Sequence, residues 1–338
     1  MKRSLVIAGI LALLTAGVLL AEGQQEYPAR DITNIVVWAA GGGTDTCNRI
    51  ISAEMAKELK ININVVNVTG GVGGSVGMAE AYGKPHDGYT IAGISESCVT
   101  AGVQGGWDKS FDVWDPFIVG GSPDVVSVTP SSPYKTLKDL IEAAKAKPGE
   151  IRAGASAAGS IHHLNLLALE NGTGAKFNFI PYTGSAPAQN AAMTGEVSVV
   201  VTSIAEQAQL IRGGKLRPIA MLIPKSFDMA GQSIPSGFDV YPSLSKYLPI
   251  SQAIGFAIPS DTPDNVKQTL TKAFDAAMKS DKVQTWLKDN FYVSSGDSGA
   301  AAKKTFSNLQ SVFSWTLWDL KAAKVNPETL NIPKPSAQ

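Results

Sequence analysis

Two cysteines, Cys47 and Cys98, are all that this 338-residue chain contains, and neither stands in a C-x-x-C or Cys/His spacing. A zinc or dithiol redox site is thereby excluded. A single disulfide in an oxidising compartment and a pair of partly buried thiols both remain open. Histidine is as scarce, with only His86, His162 and His163, so no metal centre is expected. Net charge is missing altogether, 29 Lys+Arg against 29 Asp+Glu. Without a basic surplus there is nothing to offset a phosphate backbone, which removes nucleic acid as a partner. Charged residues are only 17% and hydrophobic ones 44%, too apolar for a disordered chain. Apolar runs long enough to approach a membrane span are absent beyond the N-terminus.

The N-terminus itself reads as a separate object. Met1-Lys2-Arg3 precedes an uninterrupted apolar run from Leu5 to Leu20, and Glu22 to Glu26 is polar. A basic start, a short apolar middle and a polar flank describe a secretory signal peptide over residues 1–21, which places the mature chain in the periplasm. No cysteine follows the run, so lipid attachment there is not expected. The remaining length suits two domains of about 150 residues each, and 33 glycines with 19 prolines indicate many tight turns.

Strands and helices alternate along the mature chain. Asn34–Trp38, Ile63–Val68 and Tyr89–Ile94 read as strands, separated by helices over Cys47–Leu59 and from the Gly70–Ser75 turn to Tyr82. A second block repeats the rhythm: strands at Ile151–Ala155, Lys176–Pro181, Val197–Val201 and Leu216–Ile223, with helices at Leu137–Lys147, Ile161–Glu170, Ala186–Thr194 and Ile204–Arg212. Such βαβ alternation predicts an α/β fold with parallel sheets flanked by helices. The extended stretches Phe117–Val128 and Ala253–Ile258 separate the blocks and read as two crossings between lobes. The C-terminal third is helical, and 326–338, with three prolines, reads as a loose strap. The expected division is 27–122 with 256–325 as lobe one and 123–255 as lobe two.

Ligands in open α/β sheets settle at the carboxyl ends of strands, where helix N-termini offer unpaired N–H groups and a positive dipole end. Three loops fit. Ala40-Gly41-Gly42-Gly43-Thr44-Asp45 lets the backbone approach a ligand, adds a hydroxyl, and has Asp45 as the expected helix cap. Ser156-Ala157-Ala158-Gly159-Ser160 and Tyr182-Thr183-Gly184-Ser185 precede the helices of the second block.

Read in order, Val36 to Asp45, Asn67 to Gly77, Asp87-Gly88-Tyr89-Thr90, Lys147-Pro148-Gly149, Gly159 to Leu164, Pro181 to Pro187, Ile211 to Arg217 and Phe256 to Pro259 resemble the receptors of tripartite tricarboxylate transporters, the TctC or Bug family. The resemblance runs from about Tyr27 to Phe313. It implies a type II-like periplasmic binding protein: two lobes, two crossing strands as hinge, closing over a small organic acid or related solute. It implies delivery of that solute to large and small membrane subunits, a monomeric state, no cofactor and no catalysis. Carried over by position, Ala40 to Asp45, Ser156, Ala158, Gly159, Ser160 and His163 hold the carboxylate, and Tyr182, Thr183, Gly184 and Ser185 add contacts. The chain departs from the family at Trp38, where Phe is common, and at Thr202-Ser203, where many members carry Asp. Glu96, in Ser95-Glu96-Ser97 near the cleft, is unusual. It reads either as a contact for a ligand cation, amide or hydroxyl, or as a solvated acid at a helix start.

Competing readings come from isolated motifs. Gly70 to Gly77 mimics a dinucleotide fingerprint but lacks its acidic partner, and turn and packing chemistry suffice. Ser156 lies one residue off a G-x-S-x-G elbow. An exported serine hydrolase using Ser156 or Ser160 with His163 is therefore the alternative activity, and a receptor serving a sensor is the alternative partnership. Phe313, Trp315, Leu317 and Trp318 form an aromatic-rich stripe better explained by core packing than by a partner.

Overall fold

The computed structural model describes residues 27–335 apart from 230, 249 and 251; the expected signal segment lies outside the described residues. The first block comprises β1 (Ile32–Val36), α1 (Gly43–Leu59), β2 (Ile63–Asn67), α2 (Ser75–Tyr82), β3 (Thr90–Ser95) and β4 (Trp114–Gly121). The second comprises β5 (Asp124–Val128), α3 (Leu137–Ala146), β6 (Arg152–Ser156), α4 (Ile161–Thr173), β7 (Asn178–Tyr182), α5 (Ser185–Thr194), β8 (Val199–Ser203), α6 (Ile204–Arg212) and β9 (Arg217–Met221). A short hairpin, β10 (Phe227–Met229) and β11 (Gln232–Ile234), and the one-turn α7 (Gly237–Val240) complete it. The chain then returns through β12 (Ile254–Pro259), α8 (Asp264–Met278), α9 (Asp281–Asp289), β13 (Val293–Asp297) and α10 (Gly299–Asp319).

Two sheets result. The first has six strands in the order β13-β4-β12-β3-β1-β2, the second five in the order β7-β6-β8-β5-β9. Within each βαβ unit pairing is parallel, as in β1 with β2 and β3 and in β6 with β7 and β8. The strands next to the crossings enter antiparallel, β12 against β3 and β4, and β5 against β8 and β9, so both sheets are mixed. Val199-Val200-Val201-Thr202-Ser203 is buried at every position. That follows from its place at the middle of its sheet with helices on both faces.

Each sheet separates two apolar layers. On the first sheet Ile35, Ala92 and Ile94 face one layer, and Ile32, Ile91 and Phe256 the other. Cys98 belongs to the former and Cys47 to the latter. Both are free and buried. The disulfide considered from sequence is therefore corrected: a sheet stands between the two thiols. The layers of the second sheet divide likewise, Val126, Val199 and Val201 against Val125 and Val200.

The chain leaves the first sheet at Gly121, enters the second at Asp124, and returns at Ile254. These crossings are tightly apposed. A Cβ on Gly121 would stand 1.8 Å from the Gln252 carbonyl oxygen, and one on Gly255 would stand 1.9 Å from that of Phe117. Gln252 Oε1 accepts from Ser122 N–H at 3.2 Å, tying one crossing to the other. The Gly70–Gly77 run is explained by conformation and contact: Gly73 and Gly74 have φ of +58° and +76°, and a Cβ on Gly77 would lie 2.3 Å from the Val68 carbonyl oxygen.

The C-terminal strap departs from the loose segment expected. Trp315 Nε1 donates to the Ile332 and Pro333 carbonyls, Ser311 Oγ donates to Pro333, and Ile332 is buried. These bonds dock the strap along α10. Of the aromatic-rich stripe on that helix, Phe313, Trp315 and Leu317 are buried in the core and Trp318 is exposed.

Candidate functional site

The N-termini of α1, α4, α5 and α6 follow the carboxyl ends of β1, β6, β7 and β8, and they converge where the two sheets face each other. Between them lies a cavity of about 20 Å³ lined by Trp38, Gly42, Gly43, Thr44, Ser95, Glu96 and Ser97 from one side, Ser156, His162, Gly184, Ser185 and Glu206 from the other, and Gln252 from the returning crossing. That volume admits about one water molecule. The lobes are joined across it. Ala39 N–H donates to the Thr183 carbonyl at 3.2 Å, Thr100 Oγ1 to the Gly159 carbonyl at 2.7 Å, and Ile161 N–H to Ser97 Oγ at 2.9 Å. Gly184 permits this approach, since a Cβ there would meet Ala39 N at 3.0 Å. A larger groove of about 590 Å³, lined by Glu58, Lys267, Lys272 and Lys279 among others, lies between α1 and α8 on the outside of one lobe and draws nothing from the other.

The first glycine loop divides. Gly42, Gly43 and Thr44 line the cavity, whereas Ala40 and Gly41 are exposed. Asp45 is not the cap expected: α1 begins at Gly43 with Gly42 as its N-cap, and Asp45 lies inside the first turn. Its carboxylate accepts from Gly41 N–H at 2.9 Å, Asn67 Nδ2 at 2.9 Å and Arg49 Nε at 3.0 Å. Burial alone would raise its pKa, but those bonds and the Arg49 charge hold it below the usual carboxylate range. With its oxygens so engaged, Asp45 orders the loop and does not face the cavity.

Trp38 forms a wall of the cavity, its Nε1 donating to Ser95 Oγ at 3.1 Å. Glu96 is 1% exposed, so the solvated-acid reading is corrected. Ser97 Oγ and Ala253 N–H each donate to it at 2.7 Å, which clamps the returning crossing. Burial is the dominant influence on its carboxyl and, against those bonds and the His162 charge, pushes it up to about 7.

His163, expected at the ligand, is not among the residues that line the cavity. Its Nδ1 accepts from Gly159 N–H at 3.1 Å and its ring stacks on Phe179 at 4.1 Å. Burial lowers its pKa to about 4, leaving it neutral. One residue back, a turn of 100° along α4 brings His162 to the cavity instead. There Nδ1 lies 2.8 Å from Asp124 Oδ2 and Nε2 lies 3.3 Å from Glu206 Oε2. Burial would neutralise this imidazole, but the two carboxylates outweigh it and hold the pKa well above the ordinary value, so His162 is an imidazolium. Asn165 Nδ2 donates to Asp124 at 2.7 Å.

Glu206, absent from the residues expected at the site, is the centre of this group. Burial opposes its charge, but His162, the Gly43 N–H and the Ser185 hydroxyl bring its carboxyl down to about 2. Gly43 N–H, at the mouth of α1, donates to Glu206 Oε1 at 2.9 Å across the interface. Ser203-x-x-Glu206 is a capping box, with Ser203 N–H donating to Oε2 at 3.0 Å.

The other expected residues sort by the same geometry. Ser156 and Ser185 line the cavity and share a hydroxyl contact of 3.1 Å. Ser160 caps α4 by accepting from His163 N–H, and Gly159 and Ala158 form the turn before it. Tyr182 turns away from the cavity, its hydroxyl donating to Glu196 at 2.7 Å, and Thr183 is exposed. Thr202 Oγ1 accepts from Gln189 and Gln207, and Ser203 caps α6, so neither faces the cavity. No Ser–His pair forms between Ser156 or Ser160 and His163, which leaves the hydrolase reading without a base.

The profile of tripartite tricarboxylate transporter family receptors matches residues 47–306. The chain belongs to that family. Protein BugT of Bordetella pertussis is 33% identical over 227 residues, 66% of this chain and 69% of that protein. Among solved structures, the periplasmic binding protein BugD superposes with a TM-score of 0.79 at 23% identity, covering 88% of this chain and 99% of that one. The R. palustris protein Rpa4515, solved with adipate, does so with a TM-score of 0.77 at 23% identity, covering 88% and 99%. These two establish a shared two-lobed fold. Membership of this receptor family makes the chain a solute-binding protein rather than an enzyme. Among its described residues no helix is long and apolar enough to cross a membrane.

Proposed function

We propose that this receptor captures a small organic acid or a related solute between its lobes and hands it to the membrane subunits of a tripartite transporter. The lobes are taken as residues 27–122 with 256–325 and 123–255, hinged at the two crossings. The observation that carries the reading is the convergence of four helix mouths from both lobes on one cavity. Donors are supplied there by backbone N–H groups, the hydroxyls of Thr44, Ser156 and Ser185, and the His162 imidazolium. Such a set complements a carboxylate without Lys or Arg. It assembles only when the cleft is shut, so a solute favours the closed state by its differential affinity. That a relative of the same fold holds adipate supports the solute class.

Ligand-binding roles in this reading fall to Gly42, Gly43, Thr44, Trp38, Ser95, Ser97, Ser156, His162, Gly184, Ser185 and Gln252. A thermal-shift screen over mono-, di- and tricarboxylates, aromatic acids, amino acids and amides tests it. A hit at a hundredfold excess over its dissociation constant contributes about 2.7 kcal/mol. No shift with any of these classes would end the proposal. Turnover of an ester or amide would return the hydrolase reading.

A further inference from the structure

The carboxylate already in the closed cleft belongs to the chain itself. Glu206 accepts from Gly43 N–H at the mouth of α1 and from Ser203 N–H at the mouth of α6, and lies 3.3 Å from His162 Nε2 on α4. These donors engage both oxygens of the carboxylate. Gly43 N–H and His162 are also among the donors that the functional reading assigns to the acid of the solute. Gly43 is needed for the fit, because a Cβ there would lie 2.7 Å from Glu206 Oε1 and 2.7 Å from the Tyr292 hydroxyl. The space left beside Glu206, about 20 Å³, cannot hold a second carboxylate with the rest of a solute attached. His162 is the one basic side chain that lines the cavity among the described residues, beside the carboxyl groups of Glu206 and Glu96 and, behind His162, that of Asp124. An added anion would therefore meet two acidic side chains with a single basic one among them.

We propose that Glu206 is a tethered stand-in for the solute's carboxylate: it occupies the anion seat, holds the lobes closed without solute, and is displaced when solute binds. The proposal rests on the functional reading above and deepens it. Glu206 becomes a selectivity determinant, since a solute must outcompete an internal acid whose effective concentration is set by its attachment. An acid with no contact beyond its carboxylate loses that competition. One that also engages Trp38, Gln252 or the Ser95–Ser97 side can win it.

Chemical complementation tests this. Glu206→Ala leaves the donors without their carboxylate, and acetate or propionate should refill the seat. Tenfold saturation should raise the melting temperature of the variant by about 2 °C, while wild type and Glu206→Gln, whose seats stay occupied, show no shift. A folded Glu206→Ala protein that ignores acetate, or a wild type that responds equally, would overturn the proposal. Should Glu206→Ala not fold, small-angle scattering of solute-free wild type decides. A radius of gyration matching the closed structure supports the stand-in role, and an open form refutes it. These outcomes are independent of the screen of wild type, so the functional reading and this one can fail separately.

Discussion

Replacing Glu96 by Gln is the perturbation whose outcome follows most directly from the structure. The side chain is 1% exposed, and both of its oxygens are used, one by the Ser97 hydroxyl and one by the Ala253 amide. Burial raises its carboxyl from 4.5 to about 7. Between those values the folded chain keeps a proton that the unfolded chain has released, so stability falls as pH rises through this window. The penalty is absent below pH 4.5 and complete above pH 7, and it amounts to about 3 kcal/mol. Gln keeps the shape and an acceptor for Ala253 N–H but has nothing to ionise. Melts of both proteins by circular dichroism at constant ionic strength, from pH 5 to pH 8, therefore diverge. The variant gains on the wild type as pH rises, by up to about 5 °C for a chain of this length. Titrating groups remote from Glu96 are common to both proteins and cancel in the difference. A gap that stays constant from pH 5 to pH 8 would refute the reasoning, because Glu96 would then be ionised throughout.

His162→Asn removes the cation between Asp124 and Glu206 and leaves two buried carboxylates facing each other. Urea denaturation should show a loss of about 3–5 kcal/mol, and a near-neutral variant would mean that the imidazole is uncharged. Gly121→Ala places a Cβ where the Gln252 carbonyl oxygen already stands, 1.8 Å away. The crossing must shift, at about 1–3 kcal/mol in the same assay, and an unchanged midpoint would contradict the tight hinge. Cys47 and Cys98 are buried thiols whose pKa values burial pushes up. Ellman's reagent should find neither in the native protein and both after denaturation without reductant, whereas no thiol after denaturation would show a disulfide.

How far the site was legible depended on whether a residue's role was local. α6 was read at its true bounds, Ile204–Arg212, because a capping box and an amphipathic face mark it. α1 was started four residues late, because Gly43 and Thr44 carry no helical signal of their own. β13 was missed because Ser294-Ser295-Gly296-Asp297 has no apolar alternation; it forms an edge strand by pairing with β4. Glu206 is hidden from sequence reasoning for a different reason. Its capping box is visible in the sequence, but only the facing lobe shows that Oε1 reaches Gly43. The exchange of His163 for His162 is a matter of helical phase, settled by which face of α4 meets the second lobe. Of the two readings left open for Cys47 and Cys98, topology favours the free thiols, because a count of cysteines carries no information about a sheet between them.

The central claim, that the helix mouths of two lobes jointly hold a small acid, is tested most directly by a crystal structure with the best solute from the screen. The account predicts a carboxylate within hydrogen-bonding distance of both the Gly43 amide on one lobe and Ser185 or His162 on the other, with the Glu206 carboxylate moved aside. A solute bound to one lobe alone, or outside the cleft, would contradict it.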